Sequence, residues 1–307
     1  MQGIDRLLTS PRPLISDGGM ETDLIFHEGM EFPLFASFVL LDNEDGRAML
    51  RRYCNRYFDW AETEGRDYLL GTPTWRANAG WGPKLGLDED SLRDLNRRAV
   101  AFAREVSDAH PWHDHILIEG TVGPAGDGYA PDQLLAPAEA FALHSIQLET
   151  FAEGGLDIVT AYTITHTGEA IGIVQKAKSL DLPFALSFTV ETDGRLPTGQ
   201  DLGSALAEVE AATDGYCRYY GINCAHPSHF ASLLPEDWLP RIGVIRPNAS
   251  RRSHAELDEA TELDDGDPEE YGALYAQIAR RLPNLRVVGG CCGSDMRHIR
   301  AVVAAGV

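Results

Sequence analysis

Eight short apolar or β-branched runs, each followed by a stretch with helical spacing, recur along the chain, and this alternation restricts the fold more than any other feature. The runs lie at 13–16, 67–70, 115–119, 157–161, 184–188, 219–223, 242–245 and 286–288. Strands separated by helices pair in parallel through crossovers rather than as hairpins, so both faces of their sheet are buried. Over 91–106, Leu92, Leu95, Ala99, Phe102 and Val106 fall on one helical face, while Arg93, Asp94, Arg97, Arg98 and Glu105 face water. The same spacing predicts helices over 43–64, 138–153, 168–180, 201–212, 268–281 and 294–304. Eight β/α units point to an α/β chain folded as one (β/α)8 TIM barrel over residues 1–307, with its active site at the C-terminal ends of the strands. An open doubly wound sheet is the alternative that strand counting leaves.

Composition removes whole classes of function. The 307 residues carry a formal charge of −21, and the only lysines are Lys84, Lys176 and Lys178. Binding to nucleic acid or to an anionic membrane surface needs clustered cations, so neither is expected. No apolar run reaches the 18 or so residues of a membrane span, and the N-terminus lacks an apolar region ending in a small-residue cleavage site. Five cysteines in a chain this long are too few, and odd in number, for a disulfide-stapled secreted fold. The expectation is a reduced, cytoplasmic protein whose special thiols are ligands or nucleophiles. Nothing in the sequence speaks to an oligomeric state.

Chemistry in a barrel sits just past each strand, and there the chain places Asp17-Gly18-Gly19-Met20-Glu21-Thr22, Thr72, Tyr162-Thr163, Asn223-Cys224, Arg246-Pro247-Asn248 and Gly289-Gly290-Cys291-Cys292-Gly293-Ser294. The vicinal cysteines are the sharpest feature. Flanking glycines let the backbone approach a ligand closely, Ser294 is placed to cap the last helix, and a helix N-terminus aimed at the sulfurs would favour thiolate. With Cys224, these thiols can form a three-sulfur site that leaves a fourth position open for water or substrate. An open position speaks against His226 as a further ligand. Cys54, on a helix face, and Cys217, just before a strand, read as core.

These motifs resemble the homocysteine S-methyltransferase family. Asp17–Thr22, the stretch 221–227 around Cys224 and the stretch 289–294 carry the likeness, and 72–78, 120–126, 191–199 and 247–250 add to it. The resemblance runs from about Leu14 to the C-terminus. It implies a (β/α)8 barrel with one zinc ion held by Cys224, Cys291 and Cys292, which are also the catalytic residues. It further implies methyl transfer from an onium-type or other small donor to a zinc-activated thiol acceptor, homocysteine, giving methionine. Asp17, Gly18, Gly19, Glu21, Thr72, Tyr162, Asn223 and Asn248 are the implied substrate-binding residues, the two asparagines supporting the metal loop.

Two positions depart from the family pattern. Glu21 stands where Gly or Ala is usual, and Tyr162 takes the place of a glutamate that holds the substrate ammonium group in other members. Glu21 could supply the missing charge; otherwise the acceptor is another thiol or a selenol. A barrel that binds zinc or thiols and acts with a separate methyl-donor partner is the non-enzymatic alternative. Arg246, where an aromatic residue is common, is read either as a carboxylate binder or as the partner of a loop acid. Trp75 is read as a cation–π surface for an onium donor or as rim packing. His166 is the histidine favoured for a role at the mouth. The acidic stretch 251–270 reads as a solvated loop or a lid.

Overall fold

The computed structural model describes residues 3–131 and 133–307, and its strands close into a barrel. The strands are β1 (Leu14–Ile15), β2 (Tyr68–Gly71), β3 (Ile116–Val122), β4 (Ile158–Ile164), β5 (Phe184–Phe188), β6 (Tyr220–Asn223), β7 (Ile242–Arg246) and β8 (Val287–Val288). Each pairs in parallel with the next, and β8 returns to β1 through Val287 opposite Leu14 and Val288 opposite Ile15. Closure excludes the doubly wound alternative. Among the described residues no helix is long and apolar enough to cross a membrane.

The period-two alternation of strands explains both the core and the position of the site. Leu14, Leu69, Leu117, Ile158, Ala185, Val244 and Val287 point inward and pack with Leu7 of the helix Gly3–Thr9. That helix is tied to the N-terminal end of β2 by Arg6, whose Nε donates to Asp67 at 2.7 Å. The intervening residues, Ile15, Leu70, Ile118, Val159, Leu186, Ile245 and Val288, face outward into the larger cluster formed with the helices. Two residues further along the strands the inward positions turn polar or small: Ser16, Gly71, Glu119, Thr160, Ser187, Arg246 and Gly289. The apolar floor thus ends where the site begins.

The expected helices form with shifted ends, and three departures matter. The predicted helix 138–153 is two pieces, Pro137–Leu143 and Ser145–Gly154, broken at His144, whose buried Nε2 lies 2.9 Å from Glu169 Oε1. The last helix begins at Met296, and its cap is Asp295, which accepts from the Arg297 amide; the Ser294 hydroxyl donates instead to the Cys291 carbonyl at 2.7 Å. β4 runs three residues past its expected end. It does so through a bulge between Ala161 and Ile164 that puts Thr163 at φ +62°. Bulges of this kind re-aim side chains beside functional sites.

Candidate active site and metal centre

The β6 and β8 ends bring the three special thiols together. Sγ of Cys224, Cys291 and Cys292 all lie within 4.8 Å of one another. Cys224 and Cys291 also lie close enough to be joined as a disulfide, with Cα atoms 5.4 Å apart. The physical reason is proximity: sulfurs close enough to share one ion are close enough to bond each other when oxidised, and the Cα separation lies inside the usual range of about 4.4–6.8 Å. Cys292 stays free, and burial raises its thiol pKa. Cys54 and Cys217 are buried in the core as expected, and burial pushes both up to about 12.

The backbone around the sulfurs is held from every side. Cys224 adopts φ +54°, a left-handed conformation that costs a non-glycine residue about 1–3 kcal/mol and persists only where the surroundings impose it. Its carbonyl accepts from Asn248 Nδ2 at 3.0 Å and lies 2.7 Å from His254 Nε2. Asn223 Oδ1 accepts from the Thr163 amide at 2.9 Å, and its Nδ2 donates to Thr163 Oγ1, which in turn donates to Cys224 Sγ at 3.6 Å. The Tyr129 hydroxyl donates to Cys292 Sγ at 3.4 Å. Three soft sulfur donors, two of them accepting hydrogen bonds from hydroxyls, make a donor set that fits a thiophilic metal ion.

Ten of the eleven predicted site residues line an inner cavity of about 110 Å³ at the barrel mouth; Asn248 does not. Asn248 instead braces the Cys224 loop from behind, its Nδ2 donating to the Cys224 carbonyl. Gly18 and Gly19 line the cavity, yet their amides are already engaged, by the Tyr57 hydroxyl and the Ser294 carbonyl. What these glycines provide is close approach. A Cβ on Gly19 would fall 2.5 Å from the Cys291 carbonyl oxygen and push the β1 and β8 loops apart. Glu21 turns inward, accepts from Ser37 Oγ at 2.7 Å, and is raised in pKa by burial. Thr72 and Thr74 share a hydrogen bond at 2.7 Å.

Arg246 resolves in favour of the acid partner. Its Nη2 meets Asp17 Oδ1 at 2.5 Å, Nη1 donates to Ser16 Oγ and Nε to the Gly290 carbonyl, so one guanidinium stitches the ends of β7, β1 and β8 together. The other Asp17 oxygen accepts from the Tyr53 hydroxyl. Trp75 borders the cavity and stacks against the Arg76 guanidinium, 4.5 Å away. His166 and His226 lie outside the cluster. His226 caps the short helix Pro227–Phe230 and is pressed down to about 4 by burial, with Arg251 adding to the effect. The 251–270 stretch is not a bare solvated loop, because it carries the helix His254–Asp258, and His254 stacks on Tyr129 with ring centroids 4.0 Å apart.

Glu119 is an acid that the sequence places at a strand end but to which it assigned no role, although its place two residues after inward-facing Leu117 on β3 was the available signal. It is fully buried, accepting from Thr160 Oγ1 at 2.5 Å and from the Tyr162 hydroxyl at 3.1 Å, and burial pushes its carboxyl up to about 7. The chain therefore keeps a carboxylate directly behind Tyr162. A pKa raised in the folded state means that Glu119 is tolerated below the unfolded value near 4.5 and destabilises the fold as pH climbs through 7. The change is on the order of 3 kcal/mol. Urea unfolding at pH 5 and pH 8 should show Glu119→Gln flattening this decline relative to the wild type; parallel pH profiles would contradict the assignment.

A family model described as homocysteine S-methyltransferase matches residues 14–305. The chain belongs to the homocysteine S-methyltransferase family. Methionine synthase from Mycobacterium leprae (strain TN) is 27% identical over 321 aligned residues, covering 96% of this chain and 24% of that protein. The chain thus spans about a quarter of the length of that relative. S-methylmethionine–homocysteine S-methyltransferase BHMT2 from Pongo abelii is 25% identical over 233 residues, covering 70% of this chain and 60% of its own. Among solved structures, the oxidised form of the homocysteine methyltransferase MmuM from Escherichia coli superposes with a TM-score of 0.77 at 22% identity, covering 99% of both chains. Its metallated form gives 0.74 at 21% identity over 98% and 99%. This likeness is one of fold, and it extends through the whole barrel of a family member.

Proposed function

We propose that the chain methylates homocysteine at sulfur to give methionine, with Cys224, Cys291 and Cys292 holding a zinc ion. One observation carries this reading: the sulfur cluster stands between two cavities. Cys224 and Cys292 line both the inner one, of about 110 Å³, and an outer one of about 390 Å³. A transfer between two small molecules needs such an arrangement, since holding both reactants in line supplies much of the rate. A free thiol with a pKa near 8.5 is only slightly ionised at neutral pH, and bound zinc would supply a Lewis-acid position that takes the acceptor sulfur as thiolate.

The chain's own residues do the positioning. Asp17 and Glu21 are the carboxylates available to the acceptor's ammonium group, with Thr72, Tyr162 and Asn223 as neutral partners in the inner cavity. The Asp17–Arg246 pair keeps the first of these fixed. Thr163 and Tyr129 donate hydrogen bonds to the sulfurs, and Asn248 and His254 fix the Cys224 loop beneath them. In the transfer the acceptor thiol gives up its proton to solvent, its sulfur bonds the methyl carbon, and the donor departs with the electron pair of its broken bond to carbon.

Tyr162 favours a second reading of the acceptor. Its hydroxyl already donates to Glu119, so it offers an ammonium group less than the family glutamate would, and another thiol or a selenol could take homocysteine's place. Protein purified under reductant and loaded with zinc should form methionine from homocysteine with S-methylmethionine, S-adenosylmethionine, betaine or a methylated folate, read by mass spectrometry. Methylation of a different thiol alone would establish the second reading. Absence of any methylated product from zinc-loaded protein would overturn both.

A further inference from the structure

The wall of the inner cavity conceals a carboxyl group. Glu119 on β3 has no exposed surface. Its register partner on β2, Gly71, lines the cavity, and a Cβ there would fall 3.8 Å from Glu119 Oε2. On the β4 side Tyr162 lines the same cavity and turns its hydroxyl back to the carboxyl, 3.1 Å from Oε1 and 3.2 Å from Oε2. Thr160 Oγ1 donates to Oε1 at 2.5 Å, which leaves Oε2 as the oxygen that can carry a proton toward Tyr162.

The charged and titratable groups that face Glu119 come from four strands. Tyr162 on β4 and Tyr219 before β6 stay neutral, because burial raises both hydroxyls well above the ordinary tyrosine range. Arg246 at the end of β7 and Asp17 just past β1 form their ion pair beside it. Burial pushes the Glu119 carboxyl up to about 7, with Asp17 adding to the rise and Thr160, Arg246 and Tyr162 opposing it. Near neutrality, the proton that comes and goes in this group is therefore the one on Glu119.

That proton decides what Tyr162 can offer, because a phenol has one hydrogen. When Glu119 is ionised, the hydrogen is spent on the carboxylate, and the phenol oxygen keeps lone pairs for a donor in the cavity. When Oε2 is protonated, the carboxyl donates to the phenol oxygen and the phenol hydrogen is free to turn into the cavity. An ammonium group has donors and no acceptor, so it can use the first arrangement alone. We propose that Glu119 is a positioning residue for the acceptor: through the Tyr162 hydroxyl it makes this wall a hydrogen-bond acceptor for an ammonium group when ionised, and a donor when protonated. An amino-acid thiol is then taken up with loss of the Glu119 proton to solvent, whereas a thiol without the amino group is not. This role rests on the proposed methyl transfer for the acceptor's identity, but it is read from binding and needs no turnover.

Homocysteine and γ-mercaptobutyrate differ only in the ammonium group, so the ratio of their Kd values largely cancels the ionisation of the thiol and events at the metal. Calorimetric titration of each into reduced, zinc-loaded protein should show the preference for homocysteine growing about 5- to 10-fold from pH 6 to pH 8, since an opposite charge nearby lowers a carboxyl pKa by about 1–3 units. Repeating the titrations at pH 7 in buffers of different ionisation enthalpy should show homocysteine releasing about half a proton more than γ-mercaptobutyrate. Glu119→Gln keeps the shape but cannot ionise, and Tyr162→Phe removes the hydroxyl between carboxyl and ligand. Either variant should make the preference independent of pH while leaving zinc content unchanged. A preference that is absent at pH 8 or constant from pH 6 to pH 8 in the wild type, or a rise that persists in Glu119→Gln, would overturn the role of Glu119 even where methionine forms. If the coupling appears but no donor yields a methylated product, Glu119 keeps its role and the catalytic reading falls.

Discussion

Cys291→Ser should leave a folded barrel that no longer holds its metal. The substitution removes one of three clustered sulfurs and changes little else, because the backbone at this position is secured independently of the side chain. The Cys291 amide donates to the Pro247 carbonyl at 2.8 Å, and its carbonyl accepts from both the amide and the hydroxyl of Ser294. Serine is near in size but is a hard, weakly ionising donor that suits neither zinc nor another thiophilic ion. Metal content, measured after reduction and reloading, should fall from about one ion per chain to well below it. Methyl transfer should fall by more than the roughly 10- to 100-fold that loss of an outer hydrogen-bond partner of a metal ligand costs. Cys54→Ser and Cys217→Ser are the controls: both residues are buried in the core, away from the cluster, so metal content should persist even if stability drops. Full metal content and activity in Cys291→Ser would remove the sulfur cluster from the mechanism.

The sulfur cluster was legible because two physical periodicities converge on it. Strand alternation places the barrel, and barrel geometry puts Cys224 and the Cys291-Cys292 pair at strand ends without any knowledge of long-range contacts. The same reasoning could not see what tertiary approach alone creates. Arg246 and Asp17 stand 229 positions apart, and nothing near either residue announces their pairing. Tyr129 and His254 meet as stacked rings from a loop and the short helix His254–Asp258, the latter within the stretch read as solvated or as a lid. The bulge that carries β4 to Ile164 is a register event, invisible to a pattern that counts apolar residues. Asn248, Gly18 and Gly19 were placed at the correct strand ends, but sequence position does not say whether a polar or small residue faces a ligand or a neighbouring loop: Gly18 and Gly19 line the cavity, and Asn248 holds the Cys224 carbonyl. Glu119 is the exception among the omissions, for the alternation that made Leu117 inward made it inward too.

Arg246→Met should be the most destabilising single change at the mouth, by about 3–5 kcal/mol in urea unfolding, because it strands the buried Asp17 carboxylate. Attraction between the two charges is not the main quantity. Side-chain exposure of 13% for Arg246 and 8% for Asp17 means that both have lost most of their hydration, and the Tyr53 and Ser16 hydroxyls that remain to Asp17 cannot neutralise it. Loss of Arg246 also frees the Gly290 carbonyl beside the cysteine pair, so the metal loop should loosen with it. Asp17→Asn in the same chain removes the stranded charge, and the double variant should recover a substantial part of the lost stability, as coupled buried partners do in a double-mutant cycle. It should not recover homocysteine affinity, since Asp17 is one of the carboxylates assigned to the acceptor's ammonium group. Stability and KM therefore part company in the double variant. A cost under about 1 kcal/mol for Arg246→Met, a value ordinary for an exposed ion pair, would mean that the pair is solvated and does not organise the mouth.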